Sequence, residues 1–80
     1  MEQHIRVYLD ESFNIDGLDV TLHALNNGRG ILMVEDEDDG ALVNIKAGGH
    51  ILPENGKTHI HVIAVNADNV LLGLTRMAIQ

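Results

Sequence analysis

The chain has 80 residues, a length that fits one small domain with a thin hydrophobic core. It contains no cysteine, which excludes disulfide bonds, and its formal net charge is -7, which disfavours direct nucleic-acid binding because that affinity comes largely from lysine and arginine. No apolar stretch approaches the roughly 20 residues of a membrane-spanning helix, and residues 1–4 lack a signal-peptide pattern. We therefore expect a cytoplasmic protein of a bacterium or of a phage-infected host cell.

The first half of the sequence alternates between apolar and polar residues, which is the period of half-buried strands. Strands are predicted over residues 4–9, 19–25 and 31–34. Asp16-Gly17 separates the first two strands. Asn26-Asn27-Gly28 predicts a tight hairpin turn before the third strand, because asparagine and glycine tolerate positive φ.

The second half follows the same plan, with strands predicted over residues 41–47, 58–65 and 70–74. Gly48-Gly49 and turns at 53–56 and 66–69 separate these strands, and residues 77–80 extend an edge or lie free. No stretch has the spacing and caps of an amphipathic helix. The sequence predicts a single all-β domain, 1–80, built as a small sandwich or barrel of about six antiparallel strands.

The two halves are similar under a shift of 40 residues. Residues 20, 22, 24, 25 and 26 then fall on 60, 62, 64, 65 and 66, and each pair is apolar or asparagine in both halves. Few of these pairs are identities, so chance similarity between two hairpins is the alternative. We interpret 4–34 and 41–74 as half-repeats joined by an acidic linker, 35–40.

Two segments resemble the carbon storage regulator (CsrA/RsmA) family. Residues 11–16, Glu-Ser-Phe-Asn-Ile-Asp, and the strand that follows them are similar to the family's G-E-S-I-N-I segment and alternating strand. In the second half, residues 49–52 and 59–69, followed by Val70-Leu71-Leu72-Gly73-Leu74, are similar to the same segment, strand and V-R-I-G-I return strand. The resemblance covers most of the chain, as an internally duplicated, acidic form. It implies a small dimer of interleaved β-strands and RNA-binding translational control.

The chain departs from this family where the family binds RNA. The family's T-R pair corresponds to the region of Tyr8-Leu9, and its Arg-Glu segment after the return strand corresponds to the acidic run 35–39. Without those cations, RNA affinity should largely vanish. We therefore carry over the expected fold and no binding residue.

Five consecutive acidic residues carry the most concentrated charge of the chain: Glu35, Asp36, Glu37, Asp38 and Asp39. A calcium loop that began at Glu35 would need a bidentate glutamate at its twelfth position, where Lys46 stands. A solvated linker is the simpler interpretation. The functional interpretation is a patch that docks on a basic protein surface, and we predict these five residues as the partner-binding site.

Histidines are the remaining candidates for chemistry. His59-x-His61 places two imidazoles on one face of a strand, a spacing that can ligate zinc, and His4, His23 and His50 are further candidates. Because no cysteine completes a ligand set and alternating histidine is common on a solvated strand face, we predict no metal site and no cofactor.

Nothing in the sequence indicates catalysis. Ser12 has His4 and Asp10 near it along the chain, but neighbours on a strand need not converge, and no nucleophile elbow is present. The glycines at 28, 30, 48 and 49 lack the strand-to-helix context and lysine of a phosphate-binding loop. We predict a protein that is not an enzyme and has no catalytic residue.

Three hypotheses for function remain open. In the first, the protein is a small phage-type regulator or inhibitor, comparable to an anti-CRISPR protein, whose acidic surface docks on a basic or nucleic-acid-binding site of a partner protein. In the second, it is a CsrA-like RNA-binding translational regulator. In the third, it is a virion or complex assembly component. The core of this short chain must be built almost entirely from aliphatic residues, which favours an apolar surface that self-associates. We therefore also predict a homodimer or small homo-oligomer.

Overall fold

In the computed structural model, which describes residues 2–53 and 58–76, the chain folds into two antiparallel β-sheets. The described residues form eight strands: β1 (Gln3–Tyr8), β2 (Ser12–Ile15), β3 (Leu18–Asn26), β4 (Arg29–Glu35), β5 (Gly40–Lys46), β6 (His50–Ile51), β7 (Thr58–Val65) and β8 (Asn69–Arg76). Sheet A has the order β1-β8-β7-β6, and sheet B has the order β2-β3-β4-β5. The predicted all-β fold class is confirmed: of the two predicted forms, sandwich or barrel, the two sheets are those of a small sandwich, with eight strands where about six were predicted.

Six of the strands overlap the six that the sequence predicts, and the other two are β2 and β6. These two have only four and two residues, too few for a period of two to be recognised. Among the described residues no helix is long and apolar enough to cross a membrane. The predicted turn at 53–56 and the segment 77–80 lie mostly or wholly outside the described residues.

Two tight hairpins have the turn residues that their geometry requires. Asn27 and Gly28, between β3 and β4, have φ values of 51° and 79°. Asp16 and Gly17, between β2 and β3, have φ values of 49° and 85°. Positive φ at both central residues is the geometry of the turn that matches strand twist, and asparagine, aspartate and glycine adopt it with the least strain.

The core lies between the sheets and is almost entirely aliphatic. Leu22 and Leu32 of sheet B and Ile60 and Leu72 of sheet A are fully buried. The remaining members of the buried core cluster are Val7, Val20, Ile45, Val62, Val70 and Leu74. Burying each large side chain contributes about 1.5–3 kcal/mol, so contact between the inward faces of the two sheets stabilises the sandwich.

The first strand of each half completes the sheet of the other half. Strand β1 pairs with β8, so that Val7 lies opposite Val70, although the two are far apart in sequence. Strand β5 pairs with β4, so that Ile45 lies opposite Gly30. Each sheet therefore contains strands from both halves of the sequence.

The two halves also share local irregularities. The register between β3 and β4 shifts between Leu22 and Ala24, and the register between β7 and β8 shifts between Val62 and Ala64. The Asp10 amide donates to the Leu22 carbonyl at 2.8 Å, and the Gly48 amide donates to the Val62 carbonyl at 2.7 Å. The two bulges lie 40 residues apart, and each bends the strand that carries it.

Candidate functional site

The acidic run forms the turn of the β4–β5 hairpin within sheet B. Glu35 lies opposite Gly40 at the end of the strand pair, and the Asp36 amide donates to the Asp39 carbonyl at 2.8 Å. We call residues 35–39 the acidic tip. All five are exposed, and their position at a hairpin turn holds five carboxylates together at one end of the sandwich.

Asp36 organises this turn. Its Oδ1 accepts hydrogen bonds from the backbone amides of Asp38 at 2.8 Å and Asp39 at 2.7 Å. These bonds favour the ionised carboxylate, and the amide of Asp39, followed by that of Asp38, holds the pKa of Asp36 below its ordinary value. The side chain of Asp36 therefore stabilises the turn of the acidic tip.

The other four carboxylates of the acidic tip do not stabilise the turn in this way. Glu35, Glu37, Asp38 and Asp39 make no side-chain hydrogen bond or ion pair within the described residues. Asp19 lies directly opposite Glu35 on β3 and adds a sixth carboxylate at the same end. Like charges at facing strand positions destabilise a sheet, so this crowding is not explained by stability.

Positive charge in sheet B lies at the opposite end. Arg29 and Lys46 face each other where β4 begins, six residue steps from Glu35. At about 3.4 Å for each residue, that separation is roughly 20 Å. Lys46, which occupies the twelfth position of the calcium-loop alignment, therefore lies far from the carboxylates of the tip.

A shallow groove adjoins the tip. Its volume is about 310 Å³, and it is lined by Leu18, Val34, Asp36, Asp39, Gly40 and Pro53. Leu18 is buried and Val34 half-buried, whereas Asp36 and Asp39 are exposed. The groove therefore combines an aliphatic surface with a negatively charged rim.

A second polar cluster crosses the outer face of sheet A. His4, Gly73, His61 and His50 occupy successive strands in one register row. The rings of His50 and His61 lie nearly parallel, with centroids 4.7 Å apart, and His59 is a second neighbour of His50 at 4.8 Å. We call His50, His59 and His61 the histidine cluster.

Glu2 links this cluster to His4. Its Oε1 lies 2.9 Å from His4 Nε2, and its Oε2 lies 3.5 Å from His61 Nδ1. The hydrogen bond with His4, and then that with His61, lowers the pKa of Glu2 below its ordinary value of 4.5. Gly73 leaves room for the carboxylate, because a Cβ at that position would lie 2.6 Å from Oε1.

The other sequence candidates do not join either site. His23 is exposed on β3 in sheet B, away from the histidine cluster in sheet A. Ser12 Oγ forms a hydrogen bond with Thr21 Oγ1 at 2.7 Å in sheet B, whereas His4 lies in sheet A. The structure therefore does not assemble Ser12 and His4 into a nucleophile–base pair.

No protein-family model, curated protein or solved structure matches this chain. The acidic tip is the partner-binding site that the sequence predicts, and the structure adds Asp19 and the groove beside it. Glu2 and Gly73 were missed because only the pairing of β1 with β8 places them beside His61.

Proposed function

We propose that this is a non-catalytic binding protein, a small regulator or inhibitor whose acidic tip docks on a basic or nucleic-acid-binding site of a partner protein. The observation that carries the proposal is the gathering of exposed carboxylates, four of them without a partner in the described residues, at a defined turn. An array of one sign of charge at one end of a small domain attracts a surface of opposite charge.

The groove beside the tip supports a docking mode. Lysine and arginine have long aliphatic stems that pack on apolar surface while their charged ends stay near water. Half-buried Val34 and Pro53 provide such a surface next to Asp36 and Asp39. A basic side chain of the partner would therefore place its stem in the groove and its cation at the carboxylate rim.

A charge-matched pair of variants tests this proposal. The tip variant carries Glu37→Gln, Asp38→Asn and Asp39→Asn, and keeps Asp36 because that residue caps the turn. The control variant neutralises three acids outside the tip with amides that retain their acceptor oxygens: Asp10→Asn, Glu11→Gln and Asp68→Asn. Both variants have the same net charge.

Binding of a fluorescent lysine- and arginine-rich peptide is measured by anisotropy at low and at physiological salt. We expect the tip variant to bind about tenfold more weakly than the control variant, because three exposed ion pairs are lost, and the affinity to fall with salt. Equal weakening of both variants would show attraction to net charge alone and would contradict the proposal. Affinity capture followed by mass spectrometry, with the tip variant as the negative bait, then identifies the partner.

The sequence resemblance favours a second candidate function, RNA binding of the CsrA type. Strands β1 and β5 are exchanged between the two halves of one chain, whereas the resemblance implies strands interleaved between two subunits. Tyr8 and Leu9, which stand near the position of the family's T-R pair, are 46% and 44% exposed but carry no positive charge. A gel shift with GGA-bearing RNA hairpins at low salt separates the two candidates, and absence of a shift would exclude the second.

We also propose that the chain self-associates. Leu42 is 56% exposed on β5, at the edge of sheet B, and Leu52 is 70% exposed just after β6, at the edge of sheet A. Exposed leucines on sheet edges favour contact between copies. Light scattering tests this idea directly, and a monomer mass at every concentration would contradict it.

A further inference from the structure

The pairing of β6 with β7 brings together two imidazoles that are nine residues apart in sequence. His50 pairs with His61 in register, and its ring also reaches His59, two residues earlier on β7. His50 Nδ1 lies 2.8 Å from His59 Nε2. His50 is exposed and His59 is half-buried, so both rings are accessible from solvent.

This short contact is a hydrogen bond between the two rings. A neutral imidazole has one N–H donor and one lone-pair acceptor, and a hydrogen bond between two rings needs one of each. One of the two nitrogens therefore presents a lone pair towards the other ring, with a single hydrogen between them. If that ring moves its hydrogen to its other nitrogen, both facing atoms carry a lone pair. Because the two ring planes are only 10° apart, the rings must also rotate before both lone pairs point to one position.

We propose that His50 and His59 chelate a late first-row transition metal ion, such as Zn²⁺, Ni²⁺ or Cu²⁺. The ion takes the place of the shared hydrogen, which moves to the other nitrogen of the donor ring, and both ligands stay neutral. Imidazole nitrogen is the ligand that these ions prefer, whereas Mg²⁺ prefers oxygen. Metal–nitrogen bonds of about 2.0–2.1 Å in tetrahedral geometry separate two nitrogens by about 3.3 Å. The rings must therefore part by about 0.5 Å, a movement that side-chain rotation provides.

The chelate has two protein ligands. No group of three or more ligating side chains in the described parts of the chain is arranged to hold a metal ion, so water completes the coordination. The sequence predicted no metal site because no cysteine completes a ligand set and alternating histidine is common on a solvated strand face; it did not show that His50, on another strand, lies beside His59. His50 has that role only because β6 lies next to β7.

Metal binding would stabilise the edge of sheet A. Strand β6 has only two residues and pairs with β7 alone. A metal bridge from His50 to His59 cross-links the two strands through their side chains. The bound ion therefore raises the thermal stability of the protein, because it binds the folded state in preference to the unfolded state.

Isothermal titration of the untagged full chain with ZnCl₂ tests the site. We expect one ion for each chain, and a rise in Tm in the same buffer. His50→Gln and His59→Gln should each lower the affinity for Zn²⁺ at least about tenfold. Even the loss of a residue that only hydrogen-bonds to a metal ligand lowers metal affinity by about 10–100-fold. His23→Gln is the matched control, an exposed histidine of sheet B, and should bind Zn²⁺ as the unaltered protein does.

Further measurements keep the test decisive if a variant fails to fold. On the unaltered protein, substoichiometric Zn²⁺ should shift or broaden the NMR signals of the His50 and His59 rings and leave those of His23 unchanged. Equal binding of MgCl₂, unchanged affinity in both ligand variants, or loss of Zn²⁺ binding in the acidic-tip variant would overturn the proposal. Because the tip variant retains both histidines, failure here leaves the docking proposal untouched.

Discussion

Replacing one fully buried leucine in each sheet tests whether the two sheets share a single core. Leu32 on β4 and Leu72 on β8 are both 0% exposed, and they are 40 residues apart, at equivalent places in the two halves. Leu42, on β5, is 56% exposed and serves as the control. The experiment compares Leu32→Ala, Leu72→Ala and Leu42→Ala.

The expected magnitude follows from burial. A buried leucine replaced by alanine costs about 2–5 kcal/mol, because transfer energy is lost and a cavity remains. We expect about 3 kcal/mol for each core variant, and about 0.5 kcal/mol or less for Leu42→Ala. A domain of this length has a total unfolding free energy of about 4–12 kcal/mol. Each core variant therefore loses a large fraction of its stability.

Urea unfolding followed by circular dichroism measures the effect. With a slope of about 1 kcal/mol per molar urea for a small domain, each core variant should lower the midpoint by about 3 M. Both should retain a single transition, because one core unfolds as one unit. Two separate transitions would show that the sheets do not share a core. A core variant as stable as Leu42→Ala would refute the placement of that leucine.

Three further predictions concern single residues. The His4 hydrogen bond lowers the pKa of Glu2 below 4.5, so ionised Glu2 stabilises the fold above that pH and the contribution is lost as the pH falls through the lowered value. Glu2→Gln should therefore lower Tm at neutral pH and leave it unchanged in strong acid; an equal effect at both pH values would contradict this. Gly73→Ala should displace the Glu2 carboxylate and raise its pKa, measured by carboxyl NMR titration, towards the ordinary value. An unchanged titration would refute the packing. Gly28→Ala should lower the free energy of unfolding in urea by about 1–2 kcal/mol, because φ at this position is 79°. A clash is not the cause, since no atom lies within 4 Å of the new Cβ. Gly28→Asn should cost less, and equal costs would show another cause.

Local patterns in the sequence predict the strands and tight turns well. The alternation of apolar and polar residues in 58–65 gives the bounds of β7 as the structure has them. Asn27-Gly28 forms the expected turn with positive φ at both residues. These features depend on neighbours in the chain, which is why the sequence shows them.

The functional surfaces are only partly predictable. The acidic tip is visible in the sequence because its five carboxylates are consecutive. Its neighbours Asp19 and Pro53 come from other segments and join it through strand pairing and the groove. The histidine cluster needs the register of β6 against β7, and β6 is too short to be predicted from a pattern.

The ion pair between Asp16 and Arg76 shows what the tertiary structure alone decides. Asp16 Oδ1 accepts a hydrogen bond from Arg76 Nη2 at 2.7 Å, and Asp16 Oδ2 accepts one from the buried hydroxyl of Thr58 at 2.9 Å. These contacts join the β2–β3 turn of sheet B to two strands of sheet A. By itself the sequence determined that the chain would form strands, where most of them would run, and where its negative charge would lie. Which strands became neighbours, and therefore which histidines and carboxylates met, was decided by the packing of two apolar faces, because alternation specifies a strand's buried side but not its partner.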